Sequence, residues 1–152
     1  AAADPSQPAQ VDERGAAAAA PGARILLVED NPINALLARA LLTREGCEVE
    51  HATSGADAVA AVEVGKFDLI LMDMRMPGMS GEETARKLRA EGVKTPIVAL
   101  TANAFEDDRH ACLAAGMDDF MVKPLSPDAL RAALTRWARP NFTKPAARAK
   151  VG

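Results

Sequence analysis

Short apolar segments alternate with longer helical patterns along most of the chain. Five segments of four or five residues are largely apolar, and the stretches between them repeat apolar residues every three or four positions. Continuous apolar runs of this length predict strands buried on both faces, whereas the 3.6-residue period predicts helices. The predicted strands cover residues 25–28, 49–52, 68–72, 96–100 and 119–122.

A helix is predicted after each strand. Asp30 or Asn31 can cap the first helix, Pro32 suits its first position, and Gly46 ends it. Within it, apolar residues recur at helical spacing at Ile33, Leu36, Leu37, Ala40 and Leu41. The next three helices cover about 55–64, 81–91 and 104–115, and Ser126 starts the last. The inward residues are predicted to be Ala58, Val59 and Val62 in the second helix and Leu130, Ala133, Leu134 and Trp137 in the last.

Five βα units in sequence predict a single α/β domain over residues 23–138, with helices on both faces of a parallel sheet. The second strand is the most polar, so we expect it near an edge. Residues 1–22 are rich in Ala, Pro and charge and predict a disordered linker, which hints at a further domain upstream. Residues 139–152 contain four basic residues and no acid, and they predict a disordered tail.

Composition excludes several classes of protein. The formal charge of −3 and the mildly acidic domain argue against nucleic-acid binding. No apolar run approaches the length of a membrane span, so we expect no contact with a membrane from this segment. The two cysteines, Cys47 and Cys112, lack CxxC spacing and are predicted to be buried or half-buried thiols. Together these features predict a cytoplasmic location.

Reactive side chains follow four of the five predicted strands. Glu29 and Asp30 follow the first strand, Asp73 the third, Thr101 the fourth and Lys123 the fifth. The carboxyl ends of parallel strands share one edge of the sheet, which is where open α/β sheets bind ligands. We therefore expect these five residues to converge on one crevice.

Three carboxylates in one crevice repel one another. Two unit charges about 4 Å apart interact by roughly 4 kcal/mol at an effective dielectric of 20. Lys123 supplies one positive charge, and a divalent cation would supply two more. Ligation by oxygen alone suits Mg²⁺. In the simpler alternative, Asp30 caps the helix, Asp73 forms a turn and Glu29 faces solvent.

A carboxylate, Mg²⁺, a lysine and a hydroxyl are the groups that phosphoryl transfer requires. Asp73 would attack as the nucleophile, while the metal and Lys123 neutralise charge on the phosphoryl oxygens. Thr101 would then donate a hydrogen bond to the attached group. The product is an acyl phosphate on Asp73, whose lability suits signalling.

The motifs at these strand ends match a known family. They are Val28-Glu-Asp-Asn31, Met72-Asp73 with Met76-Pro-Gly-Met-Ser-Gly81, Leu100-Thr-Ala102 and Val122-Lys-Pro124. With them, residues 24–138 resemble the receiver (response-regulator) domain of two-component signalling. The resemblance implies a flavodoxin-like (βα)5 doubly wound parallel sheet with strand order 2-1-3-4-5.

The resemblance also implies a role for each site residue. Asp73 is the implied phosphoacceptor, and Lys123 grips the phosphoryl group. The implied Mg²⁺ ligands are Asp30, Asp73 and the backbone carbonyl of Arg75, with Glu29 acting through a metal-bound water. The implied donor is a phosphohistidine on a histidine kinase or a histidine phosphotransfer protein. The domain would then catalyse its own phosphorylation and dephosphorylation, and whether its parent protein is an enzyme stays open.

A switch is implied as well. Thr101 moves toward the phosphoryl group and Phe120 turns inward behind it, which alters the face formed by the fourth helix, fifth strand and fifth helix. Partners, including a second copy in a dimer, would bind that face. The runs that begin at Asp30-Asn-Pro-Ile-Asn34 and at Ala115-Gly-Met-Asp are similar to those in the C-terminal receivers of hybrid histidine kinases.

Three alternatives compete with a phosphorelay receiver. A haloacid-dehalogenase-like phosphatase needs a second Asp two residues after the nucleophile, where this chain has Arg75. A nucleotide- or flavin-binding domain needs a phosphate-cradling loop, and the acidic loop after the first strand would repel phosphate. A degenerate receiver, used as an unphosphorylated docking module, needs a missing site residue, and none is missing.

Overall fold

The computed structural model describes residues 21–76, 78–101, 106–123 and 125–138. Strands and helices alternate through this part of the chain. They are β1 (Arg24–Val28), α1 (Pro32–Arg44), β2 (Glu48–Ala52), α2 (Gly55–Val64), β3 (Leu69–Asp73), α3 (Gly81–Ala90), β4 (Ile97–Thr101), α4 (Glu106–Ala114), β5 (Asp119–Val122) and α5 (Pro127–Trp137). The predicted linker up to residue 20, the predicted tail and the first two residues predicted for the fourth helix lie outside the described residues.

The five strands form one parallel sheet in the order β2-β1-β3-β4-β5, which confirms the predicted topology. β3 lies at the centre, and β2 lies at an edge as its polar sequence predicted. Asp73 is the last residue of β3 and pairs with Leu100 of β4. The carboxyl ends of all five strands therefore meet along one edge of the sheet.

Two apolar layers cover the sheet. In each buried strand, alternate residues contribute to opposite layers, so that Leu27 and Leu71 pack with α1 and α5, whereas Leu26 and Met72 pack with α2, α3 and α4. This two-sided burial explains why the central strands are continuously apolar rather than alternating. The core is almost entirely aliphatic, as the low aromatic content required.

Helix α1 presents an unexpected face to the core. Its buried residues are Ala35, Ala38, Leu41 and Leu42. Of the apolar residues that recur at helical spacing, Ile33 is 76% exposed, Leu36 is 70% exposed, and Leu37 is also exposed. The pattern predicted the helix correctly, but most of that apolar stripe lies on the surface, because the first half of the packed side is formed by Ala35 and Ala38 and only its last turn by leucines.

Both cysteines are buried thiols outside any disulfide, as predicted. Burial, with the nearby carboxylates of Glu45 and Asp68, raises the pKa of Cys47 to about 12, so this thiol is unreactive at neutral pH. Among the helices of the described residues, none is both long enough and apolar enough to span a bilayer.

The Arg89 side chain ties α3 to two loops beyond it. Its guanidinium donates hydrogen bonds of 2.8 Å to the carbonyl oxygens of Gly116, Val93 and Thr95 and to the Asp118 carboxylate. Asp118 also accepts a hydrogen bond from the Ile97 amide at the start of β4. One planar side chain thus joins the α3–β4 and α4–β5 connections.

We predict that Arg89→Met lowers the free energy of unfolding by about 2–4 kcal/mol, because it removes the donor to three carbonyl oxygens and the cation paired with a half-buried carboxylate. Arg89→Lys should lose less stability than Arg89→Met but remain below the wild type, since an ammonium lacks the planar arrangement of donors that a guanidinium has. Urea unfolding monitored by circular dichroism measures both values. Arg86→Met removes the same charge from an exposed position of α3 and is the control. Equal losses in Arg86→Met and Arg89→Met would contradict the prediction.

Candidate functional site

Three carboxylates meet where β1 and β3 end. Oxygen atoms of Glu29, Asp30 and Asp73 all lie within 4.8 Å of one another. Glu29 is 1% exposed and Asp73 is 3% exposed, and Asp30 is the most accessible of the three. The simpler reading of Glu29 as a solvent-facing residue is therefore wrong. Asn31, rather than Asp30, caps α1 through its side-chain oxygen.

Lys123 joins this acidic cluster from β5. Its Nζ lies 3.2 Å from Asp73 Oδ1 and 3.4 Å from Glu29 Oε1. The Lys123 amide also donates to the Thr101 carbonyl oxygen at 2.7 Å, which fixes the start of the loop after β5. The predicted convergence of Lys123 with the carboxylates is thus observed, and its ammonium contacts two of the three.

The backbone after Asp73 folds back closely on that residue. The Arg75 amide donates to Asp73 Oδ1 at 3.1 Å. Gly81, the first residue of α3, donates to the Met74 carbonyl oxygen at 3.2 Å, and a side chain at this position would collide with the Asp73 carbonyl. The glycine therefore lets α3 begin directly against the end of β3. The Arg75 side chain itself is exposed.

The two predicted switch residues lie on neighbouring strands. Thr101 ends β4, is buried, and pairs with Val122 of β5, so it lies at the same edge as Asp73. Phe120 is half-buried in β5 and packs against the layer that contains α2, α3 and α4. Both positions agree with the predicted strands, and the movement of these residues stays a prediction.

Burial raises the pKa of Glu29 to about 7. Removal from water is the main cause, and the hydrogen bond and charge of Asp73 act in the same direction. The Asn31 amide, which donates to Glu29 Oε2 at 3.2 Å, and the Lys123 ammonium oppose the rise without cancelling it. Without a cation, the Glu29 carboxyl therefore keeps its proton to a higher pH than an exposed glutamate does, and this proton relieves the repulsion.

The donor set fits a hard divalent cation. The acidic groups offer only oxygen, and their charge exceeds the single charge of Lys123 when all are ionised. Mg²⁺ prefers carboxylate oxygens and retains several waters, so a few protein ligands at an accessible edge suffice. The arrangement can hold such an ion beside a nucleophilic carboxylate.

One contact at this edge was not predicted. The Nε2 atom of His51 in β2 lies 2.7 Å from the main-chain oxygen of Glu29. A polar residue one position before the end of an edge strand was the available signal, but sequence spacing does not reveal a bond from a side chain to a neighbouring strand's backbone.

The fold and this site define the class of protein. Residues 25–135 match the model of the response regulator receiver domain, and the chain belongs to that family. It is thus a receiver domain, a phosphoacceptor module of two-component signalling. Receiver domains pair with histidine kinases and phosphotransfer proteins.

Individual relatives refine this class. The chain is 41% identical over 128 residues to the sensor protein GacS of Pseudomonas syringae pv. syringae. This match covers 81% of this chain and 14% of GacS. It is 65% identical to full-length ShkA, solved with AMPPNP, with a TM-score of 0.70 over 76% of this chain and 24% of that one. The chain therefore spans a small part of these sensor kinases.

Two solved receiver domains are similar over nearly their whole length. The receiver of the sensor histidine kinase PA1611 from Pseudomonas aeruginosa PAO1 was solved with a magnesium ion coordinated in its active-site cleft. It is 44% identical, with a TM-score of 0.71 over 76% of this chain and 97% of that one. The Ssk1 receiver of Saccharomyces cerevisiae was solved with the phosphotransfer protein Ypd1. That match is 31% identical, with a TM-score of 0.73, and it covers 77% of this chain and 89% of that one.

We predict that the metal-free domain becomes less stable as the pH rises from 4.5 to about 7 because of Glu29. The pKa of this carboxyl is raised from 4.5 to about 7 on folding, so the folded chain binds a proton that the unfolded chain releases. The contribution is complete below pH 4.5 and is lost as the pH passes through about 7. The urea midpoint, measured in chelator across this range, tests the prediction.

Glu29→Gln is the matched variant, because it keeps the shape of the side chain and cannot ionise. Its midpoint should fall less with pH than that of the wild type. Adding Mg²⁺ above pH 7 should raise the urea midpoint of the wild type, since the ion binds the ionised carboxylates of the folded state. Parallel pH profiles for the two proteins would count against a raised pKa at Glu29.

Proposed function

We propose that Asp73 accepts a phosphoryl group from a phosphohistidine, in a Mg²⁺-dependent reaction at the acidic cluster. The observation that carries this proposal is the contact of Lys123 Nζ with Asp73 and Glu29, within a cluster whose carboxylates lie 4.8 Å or less apart. A buried carboxylate beside an ammonium is suited to attack phosphorus. The two further carboxylates can hold a metal cation, which with the ammonium screens the charge of the phosphoryl oxygens.

The chemical step makes one bond and breaks one. A carboxylate oxygen of Asp73 attacks phosphorus, the O–P bond forms as the donor's N–P bond breaks, and the bonding pair leaves with the imidazole nitrogen. Lys123 holds an equatorial oxygen, and the Thr101 hydroxyl donates a hydrogen bond to the attached group. Hydrolysis of the acyl phosphate by water later restores the carboxylate, so the domain catalyses its own phosphorylation and dephosphorylation.

The metal site in this proposal consists of Asp30, Asp73 and the Arg75 carbonyl, with Glu29 acting through a bound water. A Mg²⁺ ion bound there supplies positive charge against the phosphoryl oxygens. Support comes from the oxygen-only donor set and from the magnesium ion in the PA1611 receiver. The Arg75 amide donates to Asp73 Oδ1, which keeps the residue that carries this carbonyl close to Asp73.

Phosphorylation is read out on the face formed by α4, β5 and α5. Thr101 and Phe120 connect the site to this face through the paired strands β4 and β5. A groove of about 510 Å³ lies along it, bounded by Phe120, Val122, Ser126 and Arg136 among others. Its open edge strand suits a protein partner, including a second copy of the domain.

The phosphodonor is a histidine kinase or a histidine phosphotransfer protein that docks on α1. The exposed Ile33 and Leu36 are one helical turn apart on a helix that starts three residues after Glu29. Leu37, on the same helix, lines a small cavity with Glu29 and Lys123, so the apolar stripe continues to the site. A helical partner covering this stripe would bring its histidine to Asp73.

The parent protein in this proposal is a hybrid histidine kinase that works in the cytoplasm. The similarity to GacS and ShkA supports the kinase assignment, and two buried thiols outside any disulfide are consistent with a reducing compartment. The rival possibility is a receiver that serves only as a docking module without phosphorylation, and the next experiment separates the two.

We predict that the wild-type chain gains the mass of one phosphoryl group when it is incubated with acetyl phosphate and Mg²⁺, and that Asp73→Asn gains none. Removal of Mg²⁺ with a chelator should abolish the gain, because the phosphoryl charge is then unscreened. Intact-protein mass spectrometry measures each sample.

Asp68→Asn is the matched control, since Asp68 directly precedes the opposite end of β3 and accepts a hydrogen bond from the Arg24 amide. It should gain the phosphoryl group as the wild type does. If folded wild-type protein gains no mass from acetyl phosphate or from a phosphorylated histidine phosphotransfer protein, the docking-module reading replaces the proposal.

We predict that Leu36→Glu slows transfer from a phosphorylated histidine phosphotransfer protein about tenfold or more, because it places a charge in the centre of the docking stripe. Phosphorylation by acetyl phosphate should keep its wild-type rate, since a small donor needs no docking surface. Rapid-quench kinetics with both donors measure the two rates.

Val64→Glu is the control, because Val64 is 91% exposed on α2 and does not belong to the stripe. It should leave both rates unchanged. A Leu36→Glu rate that falls equally with both donors would mean a damaged site rather than a lost docking surface, and unchanged rates with both donors would remove α1 from the interface.

A further inference from the structure

His51 contacts the backbone of the acidic loop from the neighbouring strand. The imidazole is half-buried, and its Nε2 lies 2.7 Å from the Glu29 main-chain oxygen. A carbonyl oxygen only accepts hydrogen bonds, so Nε2 carries the proton in this contact. In the sheet register His51 pairs with Leu27, and its side chain therefore reaches forward to a residue beyond the end of β1.

Strand β2 holds the Glu29 backbone at two points. The Glu29 amide donates to the Ala52 carbonyl oxygen at 3.0 Å, which extends the parallel ladder one residue past β1. His51 then holds the Glu29 carbonyl. This carbonyl belongs to the same rigid peptide plane as the Asp30 nitrogen. His51 therefore fixes the orientation of the peptide that leads into Asp30.

Asp30 is the acidic residue that most needs such support. Glu29 and Asp73 are buried, and each contacts Lys123 and a backbone amide. Within the part of the chain that the structure describes, no hydrogen bond or ion pair is found that holds the more accessible Asp30 carboxylate. Its place in the cluster depends on the backbone between Val28 and Pro32, a connection of three residues.

We propose that His51 is a positioning residue for divalent-cation binding. Its Nε2–H holds the Glu29–Asp30 peptide in the orientation that lets the Asp30 carboxylate share a cation with Asp73. This inference rests on the metal site of the proposed function. His51 does not touch the phosphoryl group, so it acts on cation affinity and not on the chemical step. Groups that orient metal ligands in this way typically contribute 10–100-fold to metal affinity.

The test is a direct Mg²⁺ titration of the unphosphorylated protein by isothermal calorimetry, at a pH of about 8 where carboxylic acids are ionised in water. In His51→Leu, which removes the donor, the Kd for Mg²⁺ should rise about tenfold. In His51→Gln, whose side-chain amide can donate from a similar position, the Kd should stay within about twofold of the wild type. His110→Leu changes the chain's other histidine, exposed on α4, and should match the wild type.

A kinetic split provides the second readout. In His51→Leu the Mg²⁺ concentration that gives half-maximal phosphorylation by acetyl phosphate should rise by the same factor, while the rate at saturating Mg²⁺ stays unchanged. A role in ring packing alone would instead lower the free energy of unfolding in both His51 variants and leave the Kd unaltered.

The outcomes separate this inference from the proposed function. If the wild type binds Mg²⁺ and His51→Leu binds it with the same Kd, the positioning role is overturned and the proposed function stands. Equal losses of affinity in His51→Leu and His51→Gln would also overturn it, because the donated hydrogen bond would then not be the cause. Absence of Mg²⁺ binding in folded wild-type protein would reject both.

Discussion

Repulsion among the carboxylates of Glu29, Asp30 and Asp73 is the interaction on which the rest of this structure depends. Their oxygens lie within 4.8 Å of one another, and a pair of charges at about 4 Å costs roughly 4 kcal/mol at an effective dielectric of 20. Lys123 offsets part of this repulsion by contacting two of the three. The Glu29 proton offsets a further part below about pH 7. The metal-free fold thus holds a site that is complete only with additional positive charge.

A stiff scaffold is needed to keep these groups together. Glu29 and Asp73 follow or end adjacent strands at the centre of the sheet, where apolar layers on both faces prevent the strand ends from separating. Gly81 allows α3 to begin against Asp73, and its amide donates to the Met74 carbonyl oxygen directly after β3. Apolar burial supplies most of the energy that holds the carboxylates in place, because the contacts of Lys123 and the backbone amides offset only part of the repulsion.

Most of the fold and the members of the acidic cluster could be predicted from the sequence, because both depend on patterns within short segments of the chain. Buried parallel strands are continuously apolar and end at polar residues, so the positions of Glu29, Asp73 and Lys123 at one edge follow from chain order. The charge state of Glu29 did not follow, because it depends on burial and on the proximity of Asp73. The His51 contact did not follow either, because it joins a side chain to the backbone of another strand.

The exposed face of α1 did not follow from its sequence pattern, and the reason bears on function. A helix that packs on a sheet usually buries its largest apolar residues, yet α1 buries Ala35 and Ala38 and exposes Ile33 and Leu36. Each buried leucine or isoleucine would contribute about 1.5–3 kcal/mol, so the isolated domain forgoes this stabilisation. Scattered exposed leucines are ordinary, but here they form one stripe that runs to the acidic cluster.

In the proposed function, charge chemistry and partner choice are carried by separate residues of this domain. The acidic cluster and Lys123 would accept the phosphoryl group and the cation, and the exposed α1 stripe, which contributes little to the packed core, would select the protein donor. On that proposal, changes at Ile33 or Leu36 alter the donor without disturbing Asp73, because the buried face that holds α1 to the sheet stays the same.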